Sequence, residues 1–348
     1  MSKEIAWAGF LRDNPTGWLL EEDPVNPGVR YIALRDLCDL PQDDSELVKA
    51  SRAVMDGGPV PLILEAQEDD GFWVKSGPGY NPKYRSTVWS LIALAQFGAS
   101  PNDPRVRRGG EYYLEHAISK EGAFTMTGSL SGVIYCLTGN LISALIDLGF
   151  YSDTRLNTAL EWLVRATIGL GSRQSDEPNQ PPFYLKSGVS GPIFECSANN
   201  RLPCAWGGLK VMHALTRIPE CDRTSQINQA IKVGTDLFLS RDPADADYPM
   251  GWSEKPNRSW WKFGYPIFYI SDILEILEVL SALGFAADKR LDHAFQLLLD
   301  KQDGKGRWPL EYTYNGKTWV DVEEKGKPSK WVTLRALRVI RARAEGAN

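Results

Sequence analysis

The chain has 348 residues, 43% of them hydrophobic and 24% charged, a globular balance that excludes a disordered or fibrous protein. Its 39 basic and 44 acidic residues leave a net charge of -5, which offers no broad attraction for a polyanion and removes nucleic acid from the expected partners. No apolar run reaches the roughly eighteen residues of a spanning helix, and the first residues lack a basic-then-apolar layout; no transmembrane segment is expected, peripheral membrane contact stays open, and the cytoplasm is the expected compartment.

Helical-period segments then follow in pairs along the chain. Val29 to Leu40 with Ser45 to Met55 is a weakly marked first pair. Tyr84 to Phe97 carries Val88, Leu91, Ile92 and Ala95 at helical spacing and stops at Gly98. Its partner opens at Pro104-Arg105-Val106, where proline suits a first turn. Leu137 to Leu148, Gly149, and a helix running from Ser152-Asp153-Thr154-Arg155 to Ile168 repeat that plan. Ala205 to Arg217 with Ser225 to Ser240 is a second weakly marked pair. Ile267 to Leu283, Gly284, and a helix from Asp288-Lys289-Arg290-Leu291 to Asp300 repeat the plan again. A last helix, Trp331 to Arg343, has no successor and is expected to pair with the amino-terminal segment. Irregular stretches at 171–203 and 241–265 are of a length that carries function or caps a cavity. Strand signals are confined to Phe183-Tyr184-Leu185 and Glu311-Tyr312-Thr313-Tyr314.

The two members of a pair differ in character. First helices such as Leu137 to Leu148 are apolar almost all round, whereas second helices such as Val106 to Leu114 and Leu156 to Leu163 alternate apolar and charged faces. An inner and an outer layer follow. The expectation is an all-α protein, one domain over 1–348 with repeats over 29–343, in which about six helix pairs curl into a closed two-layer ring.

Two segments share a spelling: Gln67-Glu68-Asp69-Asp70-Gly71-Phe72-Trp73 and Gln302-Asp303-Gly304-Lys305-Gly306-Arg307-Trp308 both read Q-x-x-x-G-x-W, with Gly122-Ala123-Phe124 a degenerate third copy. Glycine permits a tight exit from an outer helix, tryptophan packs back over the helix end, and glutamine can bond its orphan carbonyls. The segments resemble the QW repeat of the squalene/oxidosqualene cyclase and protein prenyltransferase β-subunit superfamily. That resemblance implies a single α/α toroid and an isoprenoid or other apolar substrate in a central cavity. The D-x-D-D acid segment of class II terpene cyclases is missing. Asp36-Leu37-Cys38 has the spelling of the prenyltransferase zinc pair but lies within the first unit.

Several residues are candidates for chemistry. Asp272 stands early in an inner-type helix with Glu275 on the same face; in a dry cavity one of them becomes a general acid, and the competing reading is a carboxylate held by the helix dipole. Tyr269 completes the candidate catalytic set. Cys136, Cys196 and Cys204 each precede or begin an inner helix, so a ring would gather them on one rim as zinc ligands; the competing account is three small core residues. Lys83 and Arg85 flank a helix amino terminus suited to a diphosphate, and Lys210 interrupts an apolar helix, where it can snorkel or reach a carboxylate. Twelve tryptophans, against roughly one per hundred residues on average, need a wide apolar surface. Trp89, Tyr135, Trp206, Phe268 and Trp331 are the expected lining. Three functions follow: an enzyme acting on an isoprenoid or similar apolar substrate, a non-catalytic toroid scaffold for a lipid or protein, and a zinc-dependent prenyltransferase-like protein.

Overall fold

A computed structural model describes residues 7–129, 132–170 and 192–346. Helix makes up 52% and strand 4% of the described residues, so the protein is all-α. In chain order a short α1 (Thr16–Leu19) leads to α2 (Pro27–Asp36), α3 (Ser45–Asp56), a short α4 (Pro59–Glu65), α5 (Thr87–Gln96) and α6 (Pro104–His116). Then come α7 (Tyr135–Asp147), α8 (Thr154–Thr167), α9 (Ala205–Thr216), α10 (Ser225–Leu239), α11 (Ile273–Leu280), α12 (Asp292–Asp300) and α13 (Lys330–Gly346). Two helices, α1 and α4, have no counterpart among the predicted elements. A minimal antiparallel ribbon pairs Glu195–Cys196 with Leu202–Pro203, and the expected strand at Tyr312 makes only an isolated bridge to Gly264. Phe183 to Leu185 lies outside the described residues.

The repeated spelling at the second helices has one physical cause. Asp103, Asp153 and Asp288 each accept the backbone N–H of the arginine two residues on, at 2.8, 2.8 and 2.9 Å, and each pairs with that arginine's guanidinium. One carboxylate thus caps the helix start and fixes its first side chain. The preceding helices end at Gly98, Gly149 and Gly284, with φ of +82°, +87° and +90°, values that disfavour a side chain.

Two layers result. α5, α7, α9 and α11 are buried on nearly every face, while α3 buries only Leu47, Ala50 and Val54 and α12 only Ala294, Phe295 and Leu298. α7 packs between α5 and α9, α9 reaches α11, α11 reaches α13, and α13 lies on α1 and α2. A Cβ on Gly28 in α2 would stand 2.4 Å from the carbonyl oxygen of Phe97 at the end of α5, so that junction requires glycine. No described helix is long and apolar enough to cross a membrane.

The two Gln…Trp segments hold the layers together in the same way. Trp73 Nε1 donates to the Ile63 carbonyl at 2.7 Å and its amide donates to Thr87 Oγ1 at 3.1 Å. Trp308 Nε1 donates to the Leu298 carbonyl at 2.7 Å and its amide to Thr333 Oγ1 at 3.0 Å. Each indole therefore closes an outer helix while its backbone ties to the next inner one. Gln67 donates to the carbonyls of Gly71 and Arg105, and Gln302 to that of Phe10.

One predicted helix start is displaced. The sequence places it at Ile267, yet α11 begins at Ile273 with Asp272 as its N-cap. The stretch before it stays irregular because side chains bond its backbone: Gln96 takes both the amide and the carbonyl of Ile267, at 2.7 and 2.5 Å, and Asn140 donates to Phe268 O at 3.0 Å. Those bonds replace a helical ladder.

Candidate functional site

Six helices enclose a cavity of about 780 Å3. α2, α5, α7 and α9 bring their last turns to it through Asp36, Gln96, Asp147 and Thr216. α11 adds Glu275, Glu278 and Val279, and α13 lays Trp331, Leu334, Arg335 and Arg338 along it. Ile32, Ile92, Ala144, Val279 and Leu334 make apolar patches, but five arginines and six carboxylates share the wall. Tyr31, Tyr265 and Trp331 are its aromatic residues. This wall is far more charged than the aromatic lining expected from the sequence, because most rings at the opposite helix ends pack on one another. Trp89 meets Phe268 at 5.6 Å and Tyr269 at 5.0 Å between centroids, and Tyr84 meets Tyr314 at 4.8 Å.

The charges at the cavity mouth are paired. Arg217 meets Asp147 at 2.9 Å, Arg35 and Arg338 meet Asp36 at 2.5 and 3.0 Å, and Arg341 meets Asp39 at 2.6 Å and Glu345 at 2.7 Å. Burial works to raise the Asp36 pKa, yet Arg338 and Arg35 hold it below the usual carboxylate range. Deeper, Lys210 is fully buried and its Nζ donates to both Glu275 oxygens at 2.7 and 2.8 Å. Burial nevertheless lifts the Glu275 pKa above its ordinary value, against the pull of Lys210. Arg335 donates to Asp272 at 3.0 Å through two nitrogens, to Glu278 at 2.9 and 2.7 Å, and to the Gly264 carbonyl at 2.8 Å. His213 is held neutral, its pKa driven down by burial, with Nδ1 3.1 Å from Ser143 Oγ.

These contacts assign places to the sequence-derived candidates. Asp272 is a buried N-cap: it accepts the amides of Glu275 at 2.7 Å and Gly264 at 3.1 Å besides the arginine, and it does not reach the cavity wall. The capping reading therefore describes its position. Glu275 does face the cavity, and Lys210 reaches a carboxylate rather than snorkelling. Tyr269 bonds the Tyr80 hydroxyl, and burial pushes its pKa up. Lys83 sits outside that pair, its Nζ 5.7 Å from the Tyr80 ring centre and 5.3 Å from that of Tyr269. Arg85 donates to the Lys317 carbonyl and covers Trp319. The α5 amino terminus that both flank is closed by its own chain, since the Val88 amide donates to Gly79 O and those of Trp89 and Ser90 return to Ser86 O. Tyr135 packs between Trp162 and Phe194, and Trp206 leans on Trp260; only Trp331 of the expected aromatic lining borders the cavity.

Cys136 stands in the first turn of α7, Cys204 at the N-cap of α9 and Cys196 in the short ribbon before it, and none of the three lines the cavity. Cys204 and the amides of Ala198 and Asn199 lower the Cys196 pKa to about 6 against the effect of burial, while Cys196 and burial raise that of Cys204; burial lifts Cys136 to about 12, with Cys196 adding to the rise. The three sulfurs do not all come within 4.8 Å of one another, so the zinc ligand set is not assembled. Cys38 is exposed and Asp36 belongs to the arginine network, so the Asp36-Leu37-Cys38 spelling marks no metal pair. The described residues whose ligand atoms do fall within 4.8 Å are Asp242, Asp245 and His293, on the exterior. Sequence reading missed Glu278, His213, Ser143 and the arginines. Arg335, Arg338 and Arg341, spaced three apart among the apolar residues of the last helix, were the signal available.

No protein-family model matches the sequence, and no curated protein matches it. Among solved structures, the chain is similar to a crystal structure of a protein from Actinoplanes at a TM-score of 0.41 and 17% identity, over 99% of this chain and 98% of that one.

Proposed function

We propose that the chain is a single α/α toroid similar to the terpenoid cyclases and prenyltransferase β-subunits, and that it acts on an amphipathic, isoprenoid-like small molecule seated between the inner helices. The observation that carries this reading is the cavity of about 780 Å3, inside the range of roughly 300–1,000 Å3 usual for small-molecule sites. Ile32, Ile92, Val279 and Leu334 suit an apolar body, and the charged wall suits a polar end. The return of α13 onto α2 and the identical bonding of Trp73 and Trp308 support the toroid. Glu275 is the proton acceptor in this reading: it borders the cavity as a carboxylate, burial raises its proton affinity, and Lys210 fixes its orientation. Asp272 is structural.

The test is thermal shift and product analysis with isoprenoid alcohols, acids, amines and diphosphates. Ala95 borders the cavity and is half-buried, so Ala95→Trp should abolish the ligand-induced shift while the free protein still folds. The double variant Lys210→Met with Glu275→Gln, which strands neither charge, should keep binding and lose turnover. Ligands that bind Ala95→Trp as well as wild type would remove the cavity as the seat. The complete engagement of Asp272 favours a second reading, a non-catalytic toroid that holds a lipid or protein; binding without product in the wild type would select it.

A further inference from the structure

We infer that the polar end of the cavity's ligand is a cation, an organic ammonium group, seated at the deep wall beside Glu278 and Glu275. The inference rests on the reading of this cavity as the ligand seat. Its first support is charge balance. At the mouth, Arg35, Arg217, Arg338 and Arg341 are matched one for one by Asp36, Asp39, Asp147 and Glu345, so that layer is neutral. Deeper, Lys210 satisfies Glu275, but Arg335 is shared between Asp272 and Glu278. One negative charge is left over. His213, neutral in its buried position, does not offset it.

The second support is backbone. α2, α5, α7 and α9 all end at the cavity, so the negative ends of their dipoles face it, although capping bonds such as Arg341 to the Asp36 carbonyl and Tyr265 to that of Gln96 take up part of that charge. The ends of α2 and α7 lie at the mouth with Asp36 and Asp147, where they disfavour the entry of an anion. Both glutamates line the cavity, and Glu278 is the more accessible, its side chain 20% exposed against 5% for Glu275. Glu278 is therefore the principal contact, and the ammonium completes the half-share of Arg335 that Asp272 takes away.

Three benzyl probes decide it, titrated calorimetrically into the full chain: benzyltrimethylammonium, its neutral carbon isostere neopentylbenzene, and the smaller anion phenylacetate. The expected result is that the ammonium binds at least about tenfold more tightly than either other probe, corresponding to about 1.4 kcal/mol. Glu278→Gln should erase that preference. Glu345→Gln, which removes a charge at the exposed mouth, should keep it, and Ala95→Trp should lose binding of every probe. If the neutral or anionic probe binds wild type as tightly as the ammonium and Ala95→Trp blocks it, the cavity is the seat and the inferred charge is wrong. If no probe binds, or if Ala95→Trp binds the ammonium unchanged, the cavity reading and this inference both fall. The wild-type ranking alone decides the charge should Glu278→Gln fail to fold.

Discussion

Lys210 and Glu275 are the sharpest energetic commitment in the molecule, two opposite charges placed where water does not reach. Such a pair contributes little against an apolar substitute, but removing one partner strands the other, at a cost of about 3–5 kcal/mol. Lys210→Met is therefore expected to lower the urea midpoint steeply at pH 8. The pH dependence follows from Glu275, whose folded pKa lies above its unfolded value. Between those two values the folded chain holds the extra proton, so stability falls as pH rises. Without Lys210 that pKa climbs further, so the Lys210→Met loss should shrink as pH is lowered from 8 toward 5. A loss independent of pH would mean that Glu275 is not the stranded group. The cysteines give a second test: because Cys204 and the amides of Ala198 and Asn199 lower the Cys196 pKa to about 6, alkylation near pH 6.5 followed by mass spectrometry should label Cys196 ahead of the exposed Cys38 and Cys221. Cys204→Ser should change the rate of that labelling, and a Cys196 that reacts no faster than Cys221 would contradict the lowered pKa.

At the level of elements, the repeat is a capping device used several times rather than a catalytic motif. Trp73 and Trp308 make the same pair of bonds, so Trp73→Phe and Trp308→Phe should cost nearly the same, about 1–3 kcal/mol each for the buried carbonyl left bare. Guanidinium unfolding of the two variants measures this directly; a large difference would show that one indole stabilises only through bulk. Here the sequence was most legible. Aspartate, arginine and glycine at fixed offsets encode local geometry, which needs no knowledge of neighbours, and the starts of α6 and α8 and the stops at Gly98, Gly149 and Gly284 follow from them. The start of α11 was not legible because Gln96 and Asn140, far away in sequence, hold Ile267 and Phe268 outside the helix. The cavity wall escaped for the same reason: whether Arg338 faces water, a ligand or Asp36 depends on α2, three hundred residues earlier in the chain.

The whole molecule depends on how its two ends meet. Trp331 Nε1 donates to Asn26 Oδ1 at 2.9 Å, Lys330 pairs with Asp23 at 3.1 Å, Arg341 with Asp39 at 2.6 Å, and Arg12 donates to the Gln302 carbonyl at 2.7 Å. In an open stack of helix pairs, loss of the last helix removes one interface and leaves the remaining units folded. Here α13 lies against both α11 and α2, so its removal strips apolar surface from the two ends of the chain at once. A chain ending at Ser329 is therefore expected to lose the single transition of the full protein, with tryptophan fluorescence and far-UV circular dichroism no longer coinciding during denaturation. Asn26→Ala makes the milder cut: it leaves the Trp331 indole without its buried partner, for about 1–3 kcal/mol, and should lower the midpoint while both probes still coincide. If the chain ending at Ser329 instead unfolds in one sharp step close to the full-length midpoint, the contact between the ends is incidental and the helices are held by sequential neighbours alone.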